Sequence, residues 1–165
     1  MLGNDIVDLS LAKVQSNWKR KGFLNKIFTA HEQLLIQSAT KPDVMVWLFW
    51  SMKEAAYKIH NRRTGIRSFA PAGLACSVQS ENGLTSGIVT VDQDTYFTKS
   101  NINKEYIHTI ATPHQDDTKV KVMIYQTPNL PDHYKETFPA CVSHHGQYLA
   151  LVYKLSATAE TLTPI

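Results

Sequence analysis

Cysteine is scarce in this chain: 165 residues contain only Cys76 and Cys141. They form no CxxC pair that would announce a thiolate metal site, and they are too few for a disulfide framework. Two buried free thiols are expected instead, a state that fits a reducing cytoplasm. Long apolar runs are also absent. None approaches the roughly 18 residues needed to cross a bilayer, so no membrane span is expected. The N-terminus carries acids at Asp5 and Asp8 and no basic region ahead of an apolar stretch, which argues against a secretory signal. There is no internal repeat and no low-complexity segment. No recognisable RNA- or DNA-binding motif interleaves aromatic and basic residues, so nucleic acid is not an expected partner.

What remains has the composition of an ordinary globular protein, with 43% hydrophobic and 19% charged residues. The length suits one domain over 1–165 that buries a core without staples. The net charge of +3 hides an asymmetry. Residues 1–67 hold 11 Lys/Arg against 5 Asp/Glu, whereas residues 68–165 hold 6 against 9. Two basic clusters cause this, one running Lys13, Lys19, Arg20, Lys21, Lys26, the other Lys53, Lys58, Arg62, Arg63, Arg67. Such a field favours a polyanionic partner, either a phosphorylated small molecule or an acidic protein. A solvated basic face with no partner would look the same.

The chain opens with Gly3-Asn4-Asp5-Ile6-Val7-Asp8-Leu9, which reads as a strand presenting Asp5 at its start. Residues 9–28 follow a loosely helical spacing broken at Gly22. Thr29-Ala30-His31-Glu32 has the spacing of a capping box and starts a helix through Ala39. Thr40-Lys41-Pro42-Asp43 signals another start. The helix that follows contains Trp50-Ser51-Met52-Lys53-Glu54-Ala55-Ala56-Tyr57-Lys58, rich in good helix formers, and should fray between Asn61 and Gly65. Leu48, Met52, Ala55 and Ile59 make its core stripe. Glu54 and Lys58, four apart, meet on another face beside Trp47 and Trp50. They are either a surface ion pair stabilising the helix by a few tenths of a kcal/mol or part of a site.

Beyond Gly65 the pattern turns to strands: Ala72 to Gln79, Gly87 to Val91, Tyr96 to Thr98, Glu105 to Ala111 and Lys119 to Gln126. Asn82-Gly83 and Asp116-Asp117 read as turns. Asp132 to Phe138 suggests a short helix capped by Asp132. The chain ends with Ala140 to His144, a turn at Gly146-Gln147, a strand over Tyr148 to Leu155, and a frayed tail at 156–165.

GNDIVDL and WSMKEAAYK together resemble the two signature motifs of the 4′-phosphopantetheinyl transferase superfamily, G-x-D at a strand start and (W/F)-(S/A)-x-K-E-A-x-x-K on a helix. Their separation, and the GxDIV form of the first, are similar to the small holo-acyl-carrier-protein synthase branch. Residues 20–32 resemble the family's R-F-x-x-(R/K)-(I/V)-(L/F)-T-x-x-E region, although capping alone accounts for Glu32. Val142-Ser143-His144-His145-Gly146-Gln147-Tyr148 is similar to its third motif, with Ser143-His144 on the (S/T)-H pair and His145 as competitor. The resemblance covers 3–9, 20–32, 46–67 and 142–153. The span from Glu54 to His144 is longer than in the small branch, so residues 85–130 read as an inserted β hairpin or meander.

The resemblance implies an α+β module, with an antiparallel sheet packed against the long signature helix. It implies transfer of the phosphopantetheine arm of coenzyme A to a serine of an acyl or peptidyl carrier protein. It places Mg²⁺ on Asp5 and Glu54, and gives Glu54 and Lys58 the catalytic roles, Lys58 as the phosphate-stabilising lysine. Lys58, Arg62, Ser143 and His144 are the implied coenzyme-binding residues. The 3′-phosphate could also fall to Arg63, Arg67 or Lys19–Lys21, residues that could equally face the carrier protein. Either Glu54 or a water on the metal would take the serine proton. Val7 stands where the larger, surfactin-synthetase-activating branch often has a third metal-binding acid, which favours two carboxylates completed by water. A homotrimer with shared sites is implied by the small branch. A non-catalytic coenzyme A- or carrier-binding module on the same scaffold is the alternative.

Overall fold

The computed structural model describes residues 1–81, 84–115 and 119–155. The turns read at Asn82-Gly83 and Asp116-Asp117, and the tail at 156–165, lie outside the described residues. The architecture is α+β. Strand β1 (Gly3–Asp8) leads into helices α1 (Leu9–Gln15), α2 (Phe23–Ile27), α3 (Ala30–Ser38) and the 23-residue α4 (Pro42–Thr64). Strands β2 (Ala75–Glu81), β3 (Leu84–Val91), β4 (Asp94–Ile102) and β5 (Tyr106–Thr112) follow, then β6 (Val120–Gln126), β7 (Cys141–His145) and β8 (Tyr148–Lys154). They form two antiparallel sheets, a five-stranded one in the order β1-β5-β4-β3-β2 and a three-stranded one in the order β6-β8-β7.

Residues 85–130, set apart by the sequence as an insertion, supply β3, β4 and β5 of the larger sheet and β6 of the smaller. The meander is integral because β5 is the hydrogen-bonded neighbour of β1, pairing Asp5 with Thr109. The capping box at Thr29 and Glu32 forms as expected. α4 stays helical through Thr64 instead of fraying, because Gly65 adopts a left-handed conformation at φ 74° and returns its N–H to Asn61 O. Asp132 caps nothing. The short 3₁₀ turn at Tyr134–Thr137 is preceded by His133 in a left-handed conformation, with no side-chain cap.

The expected stripe of Leu48, Met52, Ala55 and Ile59 is buried. A second stripe, Val46, Phe49, Lys53, Ala56 and His60, is buried as well, so α4 is covered on more than one face. Strand β1 is buried along its whole length. On one side Val7 joins the core built around α4, while on the other Leu2 and Ile6 pack against residues of the smaller sheet. Gly3 explains itself at this junction: a Cβ there would lie 2.0 Å from Ala55 O. β1 and α4 therefore touch main chain to main chain, and this close approach brings Asp5 to the helix that carries Glu54.

Candidate functional site

Asp5 and Glu54 line the same cleft, a space of about 420 Å³ whose walls include Val7, Arg20, Trp47, Trp50, His144 and His145. Asp5 reaches it from the middle of β1. Its main-chain oxygen accepts from the Ser51 hydroxyl at 3.4 Å, and its side chain is buried. Oδ1 accepts from Ser143 Oγ at 3.1 Å and from Lys58 Nζ at 3.5 Å. Oδ2 is buried and has no hydrogen-bond partner among the described residues.

Burial raises the Asp5 pKa against the opposing pull of Lys58. Glu54 rises to about 7, first from burial and then from the Asp5 charge, with Lys58 opposing. Two carboxylates are thus held close enough to repel in a partly dry setting, and one of their oxygens is orphaned. That combination suits a hard, oxygen-seeking cation. Among the described residues no group of three or more His, Cys, Asp or Glu is placed to hold a metal. Val7 occupies the wall where a third acid could have stood. A two-carboxylate site for Mg²⁺, whose remaining ligands are waters and substrate phosphates, fits this donor set.

Lys58 does not turn to Glu54, as its spacing suggested. Its ammonium donates to Asn4 O at 2.6 Å and reaches Ser143 Oγ at 3.4 Å as well as Asp5. β1 crosses α4 so closely that carbonyl and carboxylate acceptors are nearer than the next turn of the helix. Ser143 likewise stands behind Asp5 and is not among the cleft-lining residues. Arg62 lies further along, donating to Leu2 O at 2.8 Å and to Lys58 O at 2.9 Å. Of Lys58, Arg62, Ser143 and His144, the residues implied to bind coenzyme, His144 alone lines the cleft, joined there by Arg20 from the Lys19–Lys21 cluster. His145 lines it too, and its Nδ1 accepts from Asp8 N–H at 2.9 Å. This bond fixes the ring so that the neutral form carries its proton on Nε2.

Sequence reasoning missed two residues. Asp8 caps α1 through Oδ1, which accepts from Ser10 N and Leu11 N, and fixes the β7–β8 turn through Oδ2, which accepts from Gln147 N. An acid immediately before a helical stretch was the available signal. Lys53, counted as part of a basic surface, is fully buried. It is paired with Glu32 at 2.7 Å and bonded to Ile27 O, Pro71 O and Leu74 O. Its place in the apolar stripe of Val46, Phe49 and Ala56 was the signal.

Residues 1–111 match the model of the 4'-phosphopantetheinyl transferase superfamily. The match takes in β1, the signature helix and the larger sheet up to β5, and the chain belongs to that superfamily. The fold is similar to that of the Thermotoga maritima holo-[acyl-carrier-protein] synthase, with a TM-score of 0.50, 12% sequence identity, and coverage of 91% of this chain and 81% of that one. Comparison with curated protein sequences gave no match. No helix among the described residues is long and apolar enough to cross a membrane.

Proposed function

We propose that this protein is a Mg²⁺-dependent transferase of holo-acyl-carrier-protein synthase type, moving the 4′-phosphopantetheine arm of coenzyme A to a serine of an apo acyl or peptidyl carrier protein and releasing adenosine 3′,5′-bisphosphate. The observation that carries this reading is that Asp5, whose buried Oδ2 has no hydrogen-bond partner among the described residues, lines one cleft with Glu54. Asp5 and Glu54 would hold Mg²⁺, which when bound supplies positive charge to a pyrophosphate whose bond is breaking. The chain's own residues do the rest. Glu54, raised to about 7, has a proton affinity near the working pH and suits acceptance of the serine proton. Lys58 keeps positive charge behind Asp5. Arg20, His144 and His145 place cationic or N–H groups on the cleft wall, where anionic parts of coenzyme A can be met.

Incubation with coenzyme A, Mg²⁺ and an apo carrier protein, followed by mass spectrometry, tests the proposal. The expected result is a phosphopantetheine mass gain on the carrier that disappears with EDTA. No gain with several apo carriers would overturn it, and coenzyme A binding without gain would favour a non-catalytic binding module. The proposed homotrimer and cytoplasmic setting follow from the same family and are tested by sedimentation and by fractionation of cells.

A further inference from the structure

Ser143 is a hydroxyl with every valence accounted for. It sits on β7, is buried, and accepts from the Ile6 main-chain N–H at 3.1 Å. The Lys58 ammonium approaches the same oxygen at 3.4 Å. With those donors pointing at it, the only direction left for the Ser143 proton is Asp5 Oδ1, 3.1 Å away. Ile6 is the residue after Asp5, so one hydroxyl is anchored to the strand that carries the carboxylate and simultaneously grips the carboxylate. The consequence is an asymmetric acid. Oδ1 is committed to Ser143 and Lys58, while Oδ2 is buried without a partner among the described residues.

We propose that Ser143 is a positioning residue for Asp5, holding its carboxylate through Oδ1 so that Oδ2 is the oxygen left for a divalent cation. This deepens the reading given above and rests on it. The motif resemblance implies Ser143 as a coenzyme-binding residue. The geometry instead makes it act through Asp5, because it lies behind the carboxylate and not on the cleft wall. Lys58 could not do this work by itself. Its ammonium is held chiefly by Asn4 O at 2.6 Å and stands 3.5 Å from Oδ1, whereas the short Ser143 hydroxyl, tied to Ile6 N–H, donates to Oδ1 at 3.1 Å. Groups that orient a metal ligand in this way characteristically change metal affinity by about 10–100-fold when removed.

The test compares wild type, Ser143→Ala and Ser143→Thr, with Mn²⁺ as the probe. Mn²⁺ binding is titrated by electron paramagnetic resonance in the presence of coenzyme A, beside circular dichroism, melting temperature and transfer rate as a function of Mg²⁺. The expected result is Mn²⁺ affinity lowered about 10-fold or more in Ser143→Ala, with the Mg²⁺ needed for half-maximal transfer raised in step. Ser143→Thr, which keeps the hydroxyl, should restore both to within about threefold of wild type. A folded Ser143→Ala that binds Mn²⁺ as wild type does overturns this inference while leaving the proposed function standing. So does a Ser143→Thr that folds and loses affinity as badly as alanine. A wild type that neither binds Mn²⁺ nor transfers the arm overturns both.

Discussion

Lys53 and Lys58 leave the same helix five residues apart, and each meets a carboxylate from another element. The Lys53–Glu32 pair is closed. Both side chains are 0% exposed, the contact is 2.7 Å, three carbonyls share the other two ammonium protons, and Glu32 also accepts from Thr29 N and Cys76 N. The Lys58–Asp5 pair is open. Its contact is 3.5 Å, its side chains are 30% and 12% exposed, and one carboxylate oxygen has no partner among the described residues. A buried pair with every partner supplied joins α2, α3, α4 and β2 into one unit. A half-buried pair with an oxygen to spare leaves binding capacity for something else. Saturation of hydrogen bonds, more than charge or burial, separates the closed pair from the one proposed to serve the site.

Breaking the closed pair should have the largest effect. Lys53→Met strands the Glu32 carboxylate in the core and should cost about 3–5 kcal/mol. At roughly 2–4 °C per kcal/mol for a domain of this size, calorimetry should record a melting temperature lowered by about 10 °C. Glu54→Gln should do the opposite, keeping or slightly raising the melting temperature while reducing transfer about 10³-fold or more, equivalent to about 4 kcal/mol of transition-state stabilisation. Retained turnover would remove Glu54 from the chemistry. Lys58→Met, which leaves the fold and both cleft carboxylates in place, should reduce transfer about 10²-fold, the scale of one lost charge-stabilising group. If it melted as low as Lys53→Met, the contrast between the two pairs would fail.

The smallest effect is on stability against pH. The folded-state pKa of Glu54 is raised to about 7 from 4.5, so folding favours the protonated acid. Its stabilising contribution is complete below about pH 4.5 and is lost as the pH climbs through 7. The cation-free protein should therefore melt a few degrees lower at pH 8 than at pH 6, and Glu54→Gln should flatten that slope. On the proposed assignment Mg²⁺ is held by the ionised carboxylates, so the melting-temperature gain it gives should be larger at pH 8 than at pH 6. Equal gains at both values would contradict the assignment.

Much of this was legible before any coordinates. The apolar spacing of Leu48, Met52, Ala55 and Ile59 located the face of α4 that meets the sheet, and Thr29 with Glu32 announced the start of α3. Two short motifs brought Asp5 and Glu54 into one hypothesis, and the fold brings them into one cleft. The direction of Lys58 was not legible, because helical spacing reports neighbours along the helix and is blind to a strand crossing it. Gly3 permits that crossing, and a glycine in a sequence does not say what it is close to. Lys53 misled for a related reason: a lysine counts as surface charge until its stripe partners Val46, Phe49 and Ala56 are read with it. Residues 85–130 read as inserted from the length of the Glu54–His144 span, whereas β5 pairs with β1 across about a hundred residues, a relation with no local signature.

The double-sided burial of β1 has a temporal meaning. Asp5 is made about a hundred residues ahead of the elements that enclose it: its strand pairs with β5 around Thr109 and its carboxylate is gripped from β7 at Ser143. Nothing near it in sequence can build that environment. During synthesis the acid must wait until β7 and β8 have left the ribosome, so a competent site certifies a finished domain, and a chain interrupted before residue 143 would carry both motifs and still be silent.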